Sequence, residues 1–225
     1  MNVATCLQHV SFEGPGTFRQ ALEAREYAIR TILVPSEGLP QDPGDFLLIM
    51  GGPMSVNDSD SWIGDELEYV QGVLDQGVPI VGICFGGQLL AKAVGGVVVP
   101  GPRFEIGMVS VTVTDEGKTD PFFSQHPSTF QVFQWHGEGI NLPPEIQPLV
   151  ASPDFPVQAF CAQERCYGLL FHPEMEAEGV QALCRECPED VIKGGIAPEA
   201  IQTQATSHLP TMHQWADRLI GHLVR

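Results

Sequence analysis

The residues best suited to covalent chemistry surround a cysteine set between glycines. Residues 82–88 read Gly-Ile-Cys-Phe-Gly-Gly-Gln, after the apolar run Val78-Pro79-Ile80-Val81 and before a helical pattern from Gln88 to Val94. Cys84 therefore stands where a buried strand turns into a helix, in a G-x-C-x-G arrangement equivalent to the G-x-S-x-G nucleophile elbow. Glycines at 82 and 86 remove Cβ atoms where strand and helix pass closely. Such a turn presents one side chain at the carboxyl end of the sheet, where α/β proteins bind ligands. It also puts the thiol at a helix N-terminus, whose dipole favours thiolate over thiol.

A thiol nucleophile needs a base, a group that orients the base, and donors for an oxyanion. His172-Pro173-Glu174 follows the strand-like run Tyr167–Phe171. Extended side chains at i and i+2 point the same way, and Pro173 biases His172 toward extended backbone. His172 and Glu174 are thus expected to face one cleft, with the carboxylate holding the imidazole tautomer. The expected donors are the N–H of Phe85, directly after the nucleophile, and the amides of Gly51-Gly52-Pro53, which follows the buried run Phe46–Met50.

The elements that must carry these groups are legible as alternating patterns. Val3–Val10, Ala28–Val34, Phe46–Met50 and Ile80–Ile83 read as strands, Phe46–Met50 as a buried parallel one. Thr17–Arg25 and Ser61–Gln76 read as helices, the second with Trp62, Leu67, Val70 and Leu74 at helical spacing and Asp58–Ser61 available as a cap. This βαβαβα order predicts an α/β fold: an open, mostly parallel sheet wrapped by helices. From Gly95 to about Phe171 short strands follow one another: Val97–Val99, Gly107–Val113, Phe130–Gln134, Gln147–Ser152, Val157–Ala162 and Tyr167–Phe171. They are expected to extend the sheet in antiparallel fashion. Helices are expected around Glu176–Cys187 and Thr211–Val224, with Asp190–Pro210 irregular between them.

The 225 residues suit one domain, 1–225, and 43% of them are hydrophobic, enough for a substantial core. Net charge is −17, from 28 acidic against 11 basic residues. That balance argues against nucleic acid and against an anionic membrane as partners. No apolar stretch approaches a membrane span, and Met1–Cys6 lacks the features of a signal peptide. The expected compartment is the reducing cytoplasm, with the six cysteines mostly thiols. Cys184 and Cys187, together with Cys161 and Cys166, raise the idea of a zinc site. The first pair lies in a helical pattern and the second in a strand setting with four intervening residues, so no metal is expected. His208 and His213 are expected on the surface.

Four motifs, in order, resemble the class I (triad-type) glutamine amidotransferase family, in a stand-alone form of the domain found in GMP synthetase. They are Gly51-Gly52-Pro53, Gly82–Gln88, Trp135-His136-Gly137-Glu138 and Phe171-His172-Pro173-Glu174. Glu105-Ile106-Gly107 also resembles the family. The resemblance covers about residues 46–175 and, more weakly, the first 45. It implies a flavodoxin-like sheet, no cofactor, and hydrolysis of glutamine through a γ-glutamyl thioester on Cys84. His172 would be base and acid, Glu174 its orienting partner, and the amides of Gly52 and Phe85 the oxyanion donors. Gln88, Gly51 and the His136-Gly137-Glu138 loop would hold the substrate's α-amino and α-carboxylate groups. Leu170, where the family often has Gln, and Glu138, where Asp is common, depart from the pattern beside the pocket but not in the triad.

The chain carries no P-loop or other nucleotide signature. Either a separate synthetase subunit uses the ammonia, or the protein hydrolyses γ-glutamyl amine or peptide conjugates by itself. A non-catalytic thiol-sensing or binding module on this fold is the third reading. An intact His-Pro-Glu motif counts against it, since a sensor needs a reactive thiol but no acyl-transfer machinery.

Overall fold

The computed structural model describes residues 2–224. Its sheet has strand order β2-β1-β3-β4-β9-β8-β7-β5-β6. The first half comprises β1 (Asn2–Gln8), β2 (Tyr27–Leu33), β3 (Phe46–Ile49), β4 (Ile80–Ile83) and β9 (Cys166–Leu169), all parallel to one another. Their order is the 2-1-3-4-5 winding of flavodoxin-like sheets. The second half, β8 (Ala159–Gln163), β7 (Pro148–Ala151), β5 (Val97–Val113) and β6 (Thr129–Asn141), is the expected antiparallel extension.

Alternation along the parallel strands divides the core. Phe46 and Leu48 face one side with Ala4, Cys6, Val81 and Ile83, where they meet α1 (Thr17–Glu23) and the end of α7 (Pro198–Leu223). Leu47, Ile49, Leu7 and Ile80 face the other with Val34 of the short α2 (Val34–Glu37), against α3 (Ser61–Asp75) and α4 (Phe85–Ala93). Both faces of β3 are fully buried, which is why its sequence shows no polar alternation. Asp60 occupies the N-cap of α3 without a side-chain cap bond, so the acidic stretch before it does not serve as expected.

Four expectations need correction. Tyr167–Phe171, expected in the antiparallel extension, is β9, which pairs parallel with β4 and antiparallel with β8, so the parallel half closes on a strand from late in the chain. Val97–Val99 and Gly107–Val113 belong to one strand, β5, whose pairing with β6 shifts register between Pro100 and Glu105. His136-Gly137-Glu138 is not a loop but part of β6, where Glu138 pairs with Pro100 and His136 with Glu105. The strand continues there because β5 supplies a partner ladder, a long-range condition that local composition does not report. Asp190–Pro210 is not irregular. It takes in all but the first two residues of α6 (Pro188–Gly194), ended by Gly195 in the left-handed region, and the first half of α7.

Pro198 sits in the first turn of α7, where a missing N–H costs nothing. Pro210 lies inside the same helix, which is why the pattern read as broken. Burial decides the matter: Ile201, Ala205, Leu209 and Met212 pack on β5 and β6 residues Ile106, Phe133 and Trp135, together with α5 (Ala177–Glu186). Ala216, Leu219, Ile220 and Leu223 then cover the parallel half. One helix thus fastens both halves of the sheet. No helix among the described residues is long and apolar enough to cross a membrane.

Candidate active site

The carboxyl ends of β1, β3, β4 and β9 converge on one cleft. Cys84 stands between β4 and α4 with φ +50°. Positive φ is strained for a residue with a Cβ, and a tight hydrogen-bonded frame holds it. The Cys84 N–H donates to Leu169 O at 2.8 Å, and the Gln88 N–H donates to Cys84 O at 2.9 Å. A Cβ on Gly86 would overlap the Ile49 carbonyl, and one on Gly82 would overlap Gly86. The glycines therefore let the elbow lie directly on β3. The Cys84 thiol faces the Trp135 carbonyl at 3.6 Å.

His172 is anchored through its N–H to Phe133 O of β6, at 2.9 Å. Its Nδ1 lies 2.9 Å from Glu174 Oε1, and both side chains are buried. The contact forms in a turn at Pro173-Glu174 rather than along an extended strand, because β9 ends at Leu169. The remaining ring nitrogen, Nε2, is buried and has no hydrogen-bond partner within ordinary distance among the described residues, while the Cys84 thiol lies nearby. Burial, the largest influence, works against charge on this ring, yet the Glu174 carboxylate and nearby Cys84 hold its pKa well above the ordinary value.

The other expected residues meet here too. Gly52, Gln88, His136, Gly137 and Glu138 line the cleft with Cys84. Gly51 is buried behind it, where a Cβ would strike Glu13 and come within 3.2 Å of His172 Cε1. The Phe85 N–H is the first of α4 and has no intrahelical partner. Gln88 Nε2 reaches Glu138 O at 3.5 Å. His136 donates from Nδ1 to Glu138 O at 3.1 Å, while Glu138 Oε1 accepts from the Ser55 hydroxyl at 3.0 Å.

Glu105 lies 3.4 Å from His136 Nε2 and accepts from Ser152 and Gln158, each at 2.7 Å. Burial pushes its carboxyl up, but these partners together hold it below the usual range.

Several residues at the site escaped the sequence reading. His9 and Glu13 come from the segment between β1 and α1, and the N–H of Thr17 that ends it donates to Glu174 O at 3.0 Å. Burial pushes the Glu13 carboxyl up to about 7, where neighbouring His172 draws it down and Glu174 raises it. Asp190 and Lys193 of α6 form the opposite rim, 3.2 Å apart. The available signal was positional: His9 follows β1 as Gly51 follows β3. His213, expected on the surface, is half-buried and donates to Met175 O at 2.9 Å. All six cysteines are free thiols, and no cluster of three or more metal-ligating groups occurs among the described residues. Burial pushes Cys161 to about 12 and Cys166 and Cys187 to about 11, which disfavours their thiolates.

Comparison with known proteins agrees with this architecture. The family profile described as Glutamine amidotransferase class-I matches residues 17–208. The glutamine amidotransferase-like protein YfeJ of Salmonella typhimurium is 30% identical over 195 residues, covering 81% of this chain and 80% of that protein. GMP synthase [glutamine-hydrolyzing] of Neisseria meningitidis serogroup C is 34% identical over 131 residues, 57% of this chain but only 24% of that protein. The chain thus matches about a quarter of the length of the GMP synthase. Among solved structures, a glutamine amidotransferase from Thermotoga maritima superposes with a TM-score of 0.90 at 24% identity, covering 100% of this chain and 98% of the other, which speaks for the fold. A glutamine amidotransferase from Methylobacillus flagellatus gives 0.88 at 27% identity, covering 100% and 94%. With the profile spanning most of its length, this chain belongs to the class-I glutamine amidotransferase family.

Proposed function

We propose that the protein hydrolyses the side-chain amide of glutamine at Cys84. The observation that supports this reading is a strained elbow thiol that lines the cleft with Gly52 and lies beside the buried His172–Glu174 pair, with the Phe85 N–H directly after it. His172 takes the thiol proton as sulfur attacks the amide carbon. The oxyanion is received by the N–H groups of Gly52 and Phe85. Collapse breaks the C–N bond, and His172 returns the proton to the departing nitrogen, which leaves as ammonia. His172 then deprotonates water, which attacks the γ-glutamyl thioester; Cys84 leaves, and glutamate is released. Glu174 holds the ring so that Nε2 faces the reaction. Gly51, Gly52, Gln88, His136, Gly137 and Glu138 hold the amino-acid end of the substrate.

In this reading the ammonia passes to a synthetase that consumes it, an idea supported by the 34% identity to a GMP synthase. Steady-state ammonia release from glutamine tests it, with Cys84→Ala expected to lose essentially all turnover because no neighbour replaces the thiolate. Equal rates for wild type and variant would refute it.

One observation favours a second substrate class. Glu13 and Asp190, which are not among the residues that hold the amino-acid end, line the cleft, and Lys193 beside them already meets Asp190. That lining suits a γ-glutamyl conjugate with a cationic leaving amine. A panel of γ-glutamyl amides separates the two: turnover confined to glutamine removes the conjugate reading.

A further inference from the structure

We infer that His9, backed by Glu66, is a positioning residue that aims the oxyanion hole. The inference rests on the acyl-transfer reading above and adds to it a group that does not touch the substrate.

His9 directly follows β1 and is 3% exposed. Its Nδ1 lies 3.0 Å from the Gly51 carbonyl oxygen. A carbonyl only accepts, so Nδ1 carries the proton and donates. Its Nε2 lies 3.1 Å from both oxygens of Glu66, a fully buried carboxylate on α3. Whichever of that pair holds the second proton, the Nδ1–H remains pointed at Gly51.

The Gly51–Gly52 peptide is planar and trans, so its C=O and N–H point in opposite directions. A hydrogen bond that fixes the Gly51 carbonyl on the β1 side therefore sends the Gly52 N–H the other way, toward the cleft that Gly52 lines. This anchor matters because the peptide lies between two glycines, whose backbones explore orientations closed to other residues. An unanchored Gly-Gly peptide can rotate its N–H away from the site.

The same imidazole braces the second donor. Its ring centroid lies 4.5 Å from that of Phe85, whose N–H begins α4, and 5.5 Å from that of Trp62. A Cβ on Gly52 would come within 3.2 Å of His9 Cβ, so the backbone of the loop also rests on this side chain. Gly52 and Phe85 stand on different strand ends, and His9 is the group that contacts both. A buried His–Glu couple is a costly way to fill space, since well-packed apolar residues of similar volume are often as stable. What it adds is direction.

The test compares two reactions of Cys84 in the full chain. Hydrolysis of glutamine builds an oxyanion; alkylation by iodoacetamide does not, because sulfur displaces iodide from a saturated carbon. His9→Phe keeps the ring volume and removes the donor. It is expected to lower kcat by about a hundredfold, the usual cost of a lost oxyanion donor, with KM and the alkylation rate within about threefold of wild type. His9→Asn, whose amide N–H can occupy the place of Nδ1, is expected to recover most of the loss.

Three results would overturn the inference: His9→Phe hydrolysing within about threefold of wild type, hydrolysis and alkylation falling together, or His9→Asn proving no better than His9→Phe. Wild-type protein without Cys84-dependent hydrolysis removes the acyl-transfer reading and this inference together. Wild-type turnover that His9→Phe retains removes the inference alone.

Discussion

Glu13 is a carboxyl held where charge is expensive, and Glu13→Gln turns that into a measurable stability gain. The side chain is 7% exposed, set against Gly51 and the His172 ring, with no hydrogen bond to its carboxylate among the described residues. Burial is the main cause of its displaced pKa, which rises from 4.5 to about 7. The sign follows directly. Below pH 4.5 the group is neutral in both folded and unfolded chains and costs nothing. Between 4.5 and about 7 the unfolded chain releases its proton while the folded one keeps it, so stability falls as pH rises. At about 1.36 kcal/mol per pKa unit, the penalty above pH 7 is about 3 kcal/mol. Glutamine keeps the shape and has no proton to lose.

The stability advantage of Glu13→Gln over wild type should therefore grow by about 3 kcal/mol between about pH 4.5 and 8.5. In a chain of this size that corresponds to a relative gain of about 6–12 °C in Tm. Thermal unfolding of both proteins at four or five pH values, followed by circular dichroism, reads it, since groups common to both cancel in the difference. A difference that stays flat across this range, or that shrinks as pH rises, would refute the argument that Glu13 is a desolvated acid in the folded state.

Glu174→Gln removes the carboxylate that raises the His172 pKa and fixes its tautomer. We expect kcat to fall by about two to four orders of magnitude, with the acidic limb of the kcat/KM profile moving to lower pH. A limb that stays in place would separate His172 from that titration. Pro210→Ala restores an N–H at an exposed position inside α7. Proline costs about 3 kcal/mol in a helix interior, partly offset by its stiffening of the unfolded chain, so a net gain of about 2 kcal/mol and a Tm higher by about 4–8 °C are expected. A lowered Tm would mean that the packing of α7 depends on the proline.

The elements read most accurately were those with local signatures. The strands β1 to β4 and helices α1 and α3 lie within two residues of their expected bounds, and α4 starts three residues before its own, because a buried parallel strand is a continuous apolar run and its helix an amphipathic one. Cys84 was legible as an elbow because the glycines that permit it are its sequence neighbours. The His136 segment was expected as a loop only through the family resemblance, and pairing with β5 makes it a strand. The run from Asp190 to Pro210 misled because prolines usually break helices, whereas the core beneath α7 rewards the helix enough to tolerate one.

What the sequence determined by itself was the alternation of β1 to β4 with their helices, the elbow, and which residue types could form a nucleophile and its partners, since each rests on neighbours within a few positions; that β9 completes the parallel half was decided by its pairing with β4. What the tertiary structure decided was their company. It brought the β1–α1 segment against the site, with His9 on the Gly51 carbonyl, Glu13 beside His172, and the Thr17 amide on Glu174. It put α6 at the rim, carrying Asp190 and Lys193. The physical reason is separation along the chain: His9 and Glu66 lie 57 residues apart, and Thr17 and Glu174 lie 157 apart. Contacts of that kind have no local pattern, and they come into being only when the sheet sets the ends of β1, β3, β4 and β9 side by side.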